Sequence, residues 1–116
     1  MDALVAAFRN SMRGFAFAAR SERSVRQELA VLALAVPAAL LVSQDLWVRV
    51  GLIASLLGLL AVEFLNTAVE KLCDHVTPER HPRIGIVKDL GSAAVFCMLA
   101  LTVLVWGAAL LHASGV

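Results

Sequence analysis

Three apolar runs constrain this chain more than anything else in it: Leu29–Val42, Val50–Val69, broken only by Glu63 and Asn66, and Leu90–Leu111. The third satisfies the ~20 residues a helix needs to cross a ~30 Å hydrocarbon core. The first is short, and reaches that length by extension through Ser43 and Gln44, or back past Glu28 with that carboxylate at the interface. Because 60% of the 116 residues are hydrophobic and the mean hydropathy is +0.84, too little polar surface remains to coat a soluble globule. The expected fold is therefore an all-α integral membrane protein, one domain over residues 1–116. It comprises a surface helix over about 2–22 and helices over about 25–44, 47–76 and 84–112 that contain three transmembrane spans. Pro37 lies inside the first span, where membrane helices tolerate the kink it predicts. Gln44-Asp45 predicts a tight turn, and Trp47 beyond it an interfacial anchor.

The net charge of +1 draws the chain to no polyanion, so the basic residues inform by position. Arg9, Arg13, Arg20, Arg23 and Arg26 precede the first span. Lys71, Arg80, Arg83 and Lys88 lie between the second and third, Arg49 alone occupies the first hairpin, and none follows the third span. The positive-inside rule places the N-terminus and second loop in the cytoplasm and the C-terminus on the opposite side. In the N-terminal segment Leu4, Val5, Phe8, Met12, Phe15 and Ala19 share one helical face, edged by Arg9, Arg13 and Arg20. That pattern predicts a helix lying on the membrane, in preference to one packed on the protein's own core. Cys73 and Cys97 are isolated and the three histidines lack ligand spacing, which argues against a disulfide scaffold or zinc site.

The second apolar run continues into EFLNTAVEKLCD. On a helix Glu63, Thr67, Glu70 and Asp74 fall within about 40° of one line, with Asn66 beside it. Counting from Arg49 at 1.5 Å per residue, Glu63 lies ~21 Å along the helix and Glu70 ~31 Å. Glu63 is thus under the cytoplasmic leaflet surface, with Glu70 and Asp74 at the water. A carboxylate at lipid depth costs at least ~2.5 kcal/mol and marks a functional candidate. The alternative, Glu63 and Asn66 merely bridging helices, leaves the continuity of the ladder from lipid to water unused. Glu63 suits a proton acceptor, and the hydrated oxygens of Glu70 and Asp74 suit Mg²⁺ that keeps waters and nucleotide phosphates. Beyond the loop, Lys88 offers a cation for phosphate, and Asp89 a metal ligand or an orienting partner for that lysine. Gly91, Ser92, Ala93 and Ala94 allow close helix approach. Glu22 and Glu28 add carboxylates on the same side. A base at lipid depth and acidic groups at the water would let a lipid hydroxyl meet a soluble phosphoryl donor. No P-loop, Gly-rich kinase loop or H-R-D motif is present, so such a kinase belongs to neither familiar class.

The run Val62-Glu63-Phe64-Leu65-Asn66-Thr67-Ala68-Val69-Glu70, then Asp74, Lys88-Asp89 and Gly91-Ser92-Ala93-Ala94-Val95, resembles the small prokaryotic diacylglycerol kinases over nearly the whole chain. Arg26-Gln27-Glu28 resembles the family's segment before its first span. The resemblance implies a homotrimer in the bacterial cytoplasmic (inner) membrane that uses ATP and Mg²⁺ to phosphorylate diacylglycerol to phosphatidic acid, with active sites shared between subunits. It implies Glu63 as the base and Asn66 as a polar active-site residue. Glu28 and Glu70 match metal-binding carboxylates, Lys88 and Asp89 the nucleotide-side pair, and Glu22 an acidic position near the nucleotide. The ladder is expected to face the N-terminal acidic segment of a neighbouring subunit. The chain departs from the family at ARSER around Glu22, and at Met12 and Phe15, where Trp or Tyr is usual. A sister branch phosphorylates undecaprenol, but GSAAV is similar to the diacylglycerol branch. A small proton-coupled multimeric transporter would use Glu63 yet leave Lys88-Asp89 idle.

Overall fold

The computed structural model describes residues 2–115, all of its regular structure helical: α1 (Asp2–Ser21), α2 (Arg23–Val42), α3 (Leu46–Val76) and α4 (Pro82–Ala113). The last three are long and apolar enough to cross a membrane. At 1.5 Å per residue α3 and α4 run well over 40 Å, so both outreach a ~30 Å hydrocarbon core.

Each break between helices has a local cause. Extended backbone at Glu22 separates α1 from α2, and the Arg26 guanidinium donates to the carbonyls of Ala19 (3.0 Å) and Arg20 (3.1 Å), the last acceptors of α1. Such a cation satisfies carbonyls left over at a helix end and complements its dipole. At the next turn the Asp45 carboxylate caps α3 by accepting from the Trp47 N–H at 2.8 Å. Arg49 reaches back to the carbonyls of Ser43 and Leu40. This capped turn stops α2 at Val42, so Ser43 and Gln44 join the turn instead of lengthening the first span. After α3, His81 Nδ1 accepts from the Arg83 N–H at 3.2 Å and Pro82 opens α4, where its missing N–H costs nothing.

The packing centres on α3. On one side α2 covers it through small residues, Ala35 and Ala39, while Leu52, Leu56, Leu59 and Leu60 of α3 are buried. Towards the end carrying α1, Ala18, Val25 and Leu60 form a cluster flanked by Leu29, Leu32 and Phe64. On the other side α4 runs antiparallel to α3, with Trp106 opposite Leu52, Thr102 opposite Ser55, Met98 opposite Gly58 and Gly91 opposite Asn66. Two of these are interhelical hydrogen bonds, from Trp106 Nε1 to the Leu52 carbonyl at 3.1 Å and from Thr102 Oγ1 to the Ser55 carbonyl at 3.3 Å. No residue of α4 is fully buried within the single chain. The first turns of α1 are likewise uncovered, with Leu4, Val5, Phe8 and Met12 exposed.

Candidate active site

The carboxylates converge where α2 starts and α3 nears its C-terminal end. Because the two helices run in opposite directions, six residues back along α2 from Glu28 to Glu22 match the seven forward along α3 from Glu63 to Glu70. Glu28 lies within electrostatic reach of Glu63, and Glu63 in turn within reach of Glu70 and Glu22. Both Glu28 carboxylate oxygens are buried and accept no hydrogen bond. An unpartnered buried polar group is expensive and calls for a functional account.

Asn66, half-buried on the same face, donates from Nδ2 to Glu70 Oε1 at 3.1 Å. Its Oδ1 is buried without a donor and faces the backbone of Gly91, where a Cβ would collide with it. Further along the ladder, Lys88 of α4 donates to Asp74 Oδ1 at 2.7 Å. Lys88 is therefore oriented by Asp74, not by Asp89 as the sequence allowed; the exposed Asp89 side chain takes part in no hydrogen bond or ion pair among the described residues. Glu22 faces the ladder and pairs with Lys71 at 3.9 Å. Within one chain the ladder already meets Glu22 and Glu28.

Two concavities border the cluster. One, of about 460 Å³, lies between α1 and α3 and is lined by Phe15, Phe17, Phe64, Leu65, Thr67 and Lys71, among others. The Phe15 and Phe64 rings meet edge-to-face at 4.9 Å, and the Lys71 ammonium stands 5.6 Å over the Phe17 ring. The other, of about 550 Å³, is formed by Thr77 to Pro82, Ile84, Gly85 and Lys88 at the α3–α4 loop. One concavity is apolar and lipid-like in character; the other carries Arg80, His81 and Lys88. Sequence reasoning missed the roles of Lys71 and Phe64 because each is set by α1 folding back over α3, which no local pattern encodes.

The donor set fits Mg²⁺. It consists of hard carboxylate oxygens, two of them buried and unpartnered on Glu28, and among the described residues no three acidic, His or Cys side chains close into a complete ligand cage. A metal that keeps several waters and shares phosphate oxygens needs only one or two carboxylates.

Comparison with known proteins bears on the chemistry. The family described as prokaryotic diacylglycerol kinase matches residues 9–110. Proteins named diacylglycerol kinase are similar along most of their length. The one from Pseudomonas aeruginosa is 39% identical over 101 residues, covering 87% of this chain and 82% of the relative. That of Escherichia coli K12 is 38% identical over 96 residues, covering 83% and 79%. That of Haemophilus influenzae is 33% identical over 104 residues, covering 90% and 88%.

Proposed function

The chain belongs to the prokaryotic diacylglycerol kinases and phosphorylates diacylglycerol in a bacterial membrane, and from that premise we propose how its residues divide the work. Glu63 accepts the proton of the diacylglycerol hydroxyl as that oxygen attacks the γ-phosphorus of ATP. The new O–P bond forms while the bond from the γ-phosphorus to its bridging oxygen breaks, and ADP leaves with the bridging oxygen. The observation that carries this reading is the ladder itself: a half-buried carboxylate within an apolar helix, flanked by further carboxylates and an amide.

Glu28 and Glu70 are the candidate magnesium carboxylates, and the α2–α3 register adds Glu22, which lies level with Glu70. Glu28 sits deeper, level with Glu63. When bound, magnesium neutralises charge on the transferring phosphoryl group. Asn66 holds Glu70, and Lys88, fixed by Asp74, meets the nucleotide phosphates from the loop concavity with Asp89 beside it. The α1–α3 slot receives acyl chain, and α1 lies on the cytoplasmic face with its exposed apolar residues in lipid.

The N-terminus is cytoplasmic and the C-terminus on the opposite side, by the distribution of arginine and lysine. Three copies assemble so that a neighbour closes the open side of the ladder, since Glu63 and Thr67 facing acyl chains would be costly. Transfer of labelled γ-phosphate from ATP into extracted lipid tests the assignment, with diacylglycerol and undecaprenol offered side by side. The expected result is labelled phosphatidic acid from wild type and none from Glu63→Gln protein that still binds nucleotide. Retained transfer in that variant would overturn the role of Glu63.

A further inference from the structure

We propose that Gly91 is a positioning residue for phosphoryl transfer: the space left by its missing side chain seats the Asn66 amide and turns its N–H towards Glu70. The inference rests on the reading of Glu70 as a metal-binding carboxylate and adds the device that aims it.

The geometry has two halves that meet in one side chain. On its nitrogen side Asn66 donates to Glu70 Oε1 at 3.1 Å. On its oxygen side Asn66 Oδ1 is buried, accepts from no ordinary donor, and occupies the direction in which a Gly91 Cβ would project. The Gly91 hydrogen that replaces that Cβ therefore points at Oδ1, a weak C–H···O contact of the kind that recurs at close helix crossings. Turning the amide over would set its oxygen against the Glu70 carboxylate and push its bulkier NH₂ group into the glycine seat. Both halves oppose the flip, so the seat and the carboxylate select one orientation. Any larger residue at 91 drives Asn66 out of the seat and releases Glu70.

The second close glycine of the same seam serves as its control. A Cβ on Gly58 would meet only Met98 Cε, at 2.6 Å, and the end of a flexible methionine can move aside. Gly58→Ala thus perturbs α3–α4 packing without touching a polar group, whereas Gly91→Ala strikes a short, rotationally restricted amide.

The test reads the amide directly. The sequence holds two asparagines, Asn10 and Asn66, so protein labelled with ¹⁵N-asparagine shows two side-chain amide pairs. In metal-free, assembled protein Gly91→Ala and Glu70→Ala should each shift the Asn66 pair. Gly58→Ala should leave it in place, and the Asn10 pair should stay fixed throughout. An Asn66 pair that ignores either Gly91→Ala or Glu70→Ala overturns the proposal.

In the kinase assay Gly91→Ala should raise the Mg²⁺ midpoint about tenfold, the size of effect typical for groups that orient a ligand. The diacylglycerol KM should stay within about twofold, well below the roughly tenfold loss that removing an orienting group brings to the ligand it orients. Asn66→Ala should do the same, and the double variant no more than either, because both changes sever one link. A midpoint that moves for Glu70→Ala but not for Gly91→Ala also overturns the proposal. If neither moves, the metal role of Glu70 is what fails, and the seat is judged on the amide signals alone.

Discussion

Glu63 is the proposed base because a lipid hydroxyl needs a proton acceptor where the hydroxyl lies. Glu63→Gln keeps the size and one hydrogen-bonding oxygen while removing the basic site, so phosphoryl transfer should drop by about 10²-fold or more. Nucleotide binding and assembly should persist; turnover within tenfold of wild type, at ordinary tolerance for a general base, would remove Glu63 from that role. The three neighbouring carboxylates separate along the helix axes, Glu28 level with Glu63 and Glu22 level with Glu70. Glu70→Ala should raise the Mg²⁺ midpoint at fixed ATP, since an exposed water-line ligand is lost without stranding a charge in lipid. Glu22→Ala should act in the same direction and also free Lys71 from its 3.9 Å partner. If only Glu28→Ala moves the midpoint, the metal lies deeper than the register argument places it. Glu63, Asn66, Glu70 and Asp74 were readable from sequence because one face of one helix is a local, periodic property. That Lys88 answers to Asp74 and Asn66 to Gly91 depends on the pairing of two helices, and spacing along the chain is silent about that.

At the scale of the helices, α3 announces its orientation and α4 does not. The α3 sequence alternates buried leucines, a polar ladder and small residues, so its faces differ chemically. By contrast α4 has no side markedly more apolar than another, and hydropathy sees a span without seeing which stripe meets α3. The stripe is specified instead by scattered polar atoms: Trp106 and Thr102 each donate to an α3 carbonyl, and the Leu52 carbonyl also accepts from Ser55 Oγ at 2.8 Å. Helix ends were legible to the extent that proline and acidic caps mark them, as at Pro82 and Asp45. The Arg26 clamp on α1 was not, because it reaches six and seven residues back. Trp106→Phe keeps the ring in the seam and deletes its donor. Interhelical hydrogen bonds in membranes average about 0.6 kcal/mol, so this variant should lose stability of that order in an unfolding titration while keeping its kinase activity. Loss of activity at unchanged stability would mean that Trp106 reaches the site by some route other than the seam.

For the whole molecule, the question is what a neighbouring subunit adds to a cluster one chain already assembles. Inside a single chain Glu63 is within electrostatic reach of Glu28, Glu22 and Glu70, whereas α4 has no buried residue and the ladder has an open side. A neighbour placed against that side would keep polar groups out of lipid, whereas Glu28 already lies within reach of Glu63 inside one chain. Mixing two inactive proteins after verified subunit exchange discriminates these arrangements, one carrying Glu63→Gln and the other Glu28→Gln. If Glu63 of one chain worked with Glu28 of the next, random trimers would rebuild about one site in four, as expected for a cyclic assembly with one contribution from each side of the interface. If both act from the same chain, every site in every mixed trimer carries one lesion. The expected outcome is that co-assembled protein stays at the level of the unmixed variants. Recovery towards a quarter of wild-type activity would show that the two carboxylates act across a subunit boundary, and that the α2–α3 pairing within one chain is not the pairing that carries out transfer.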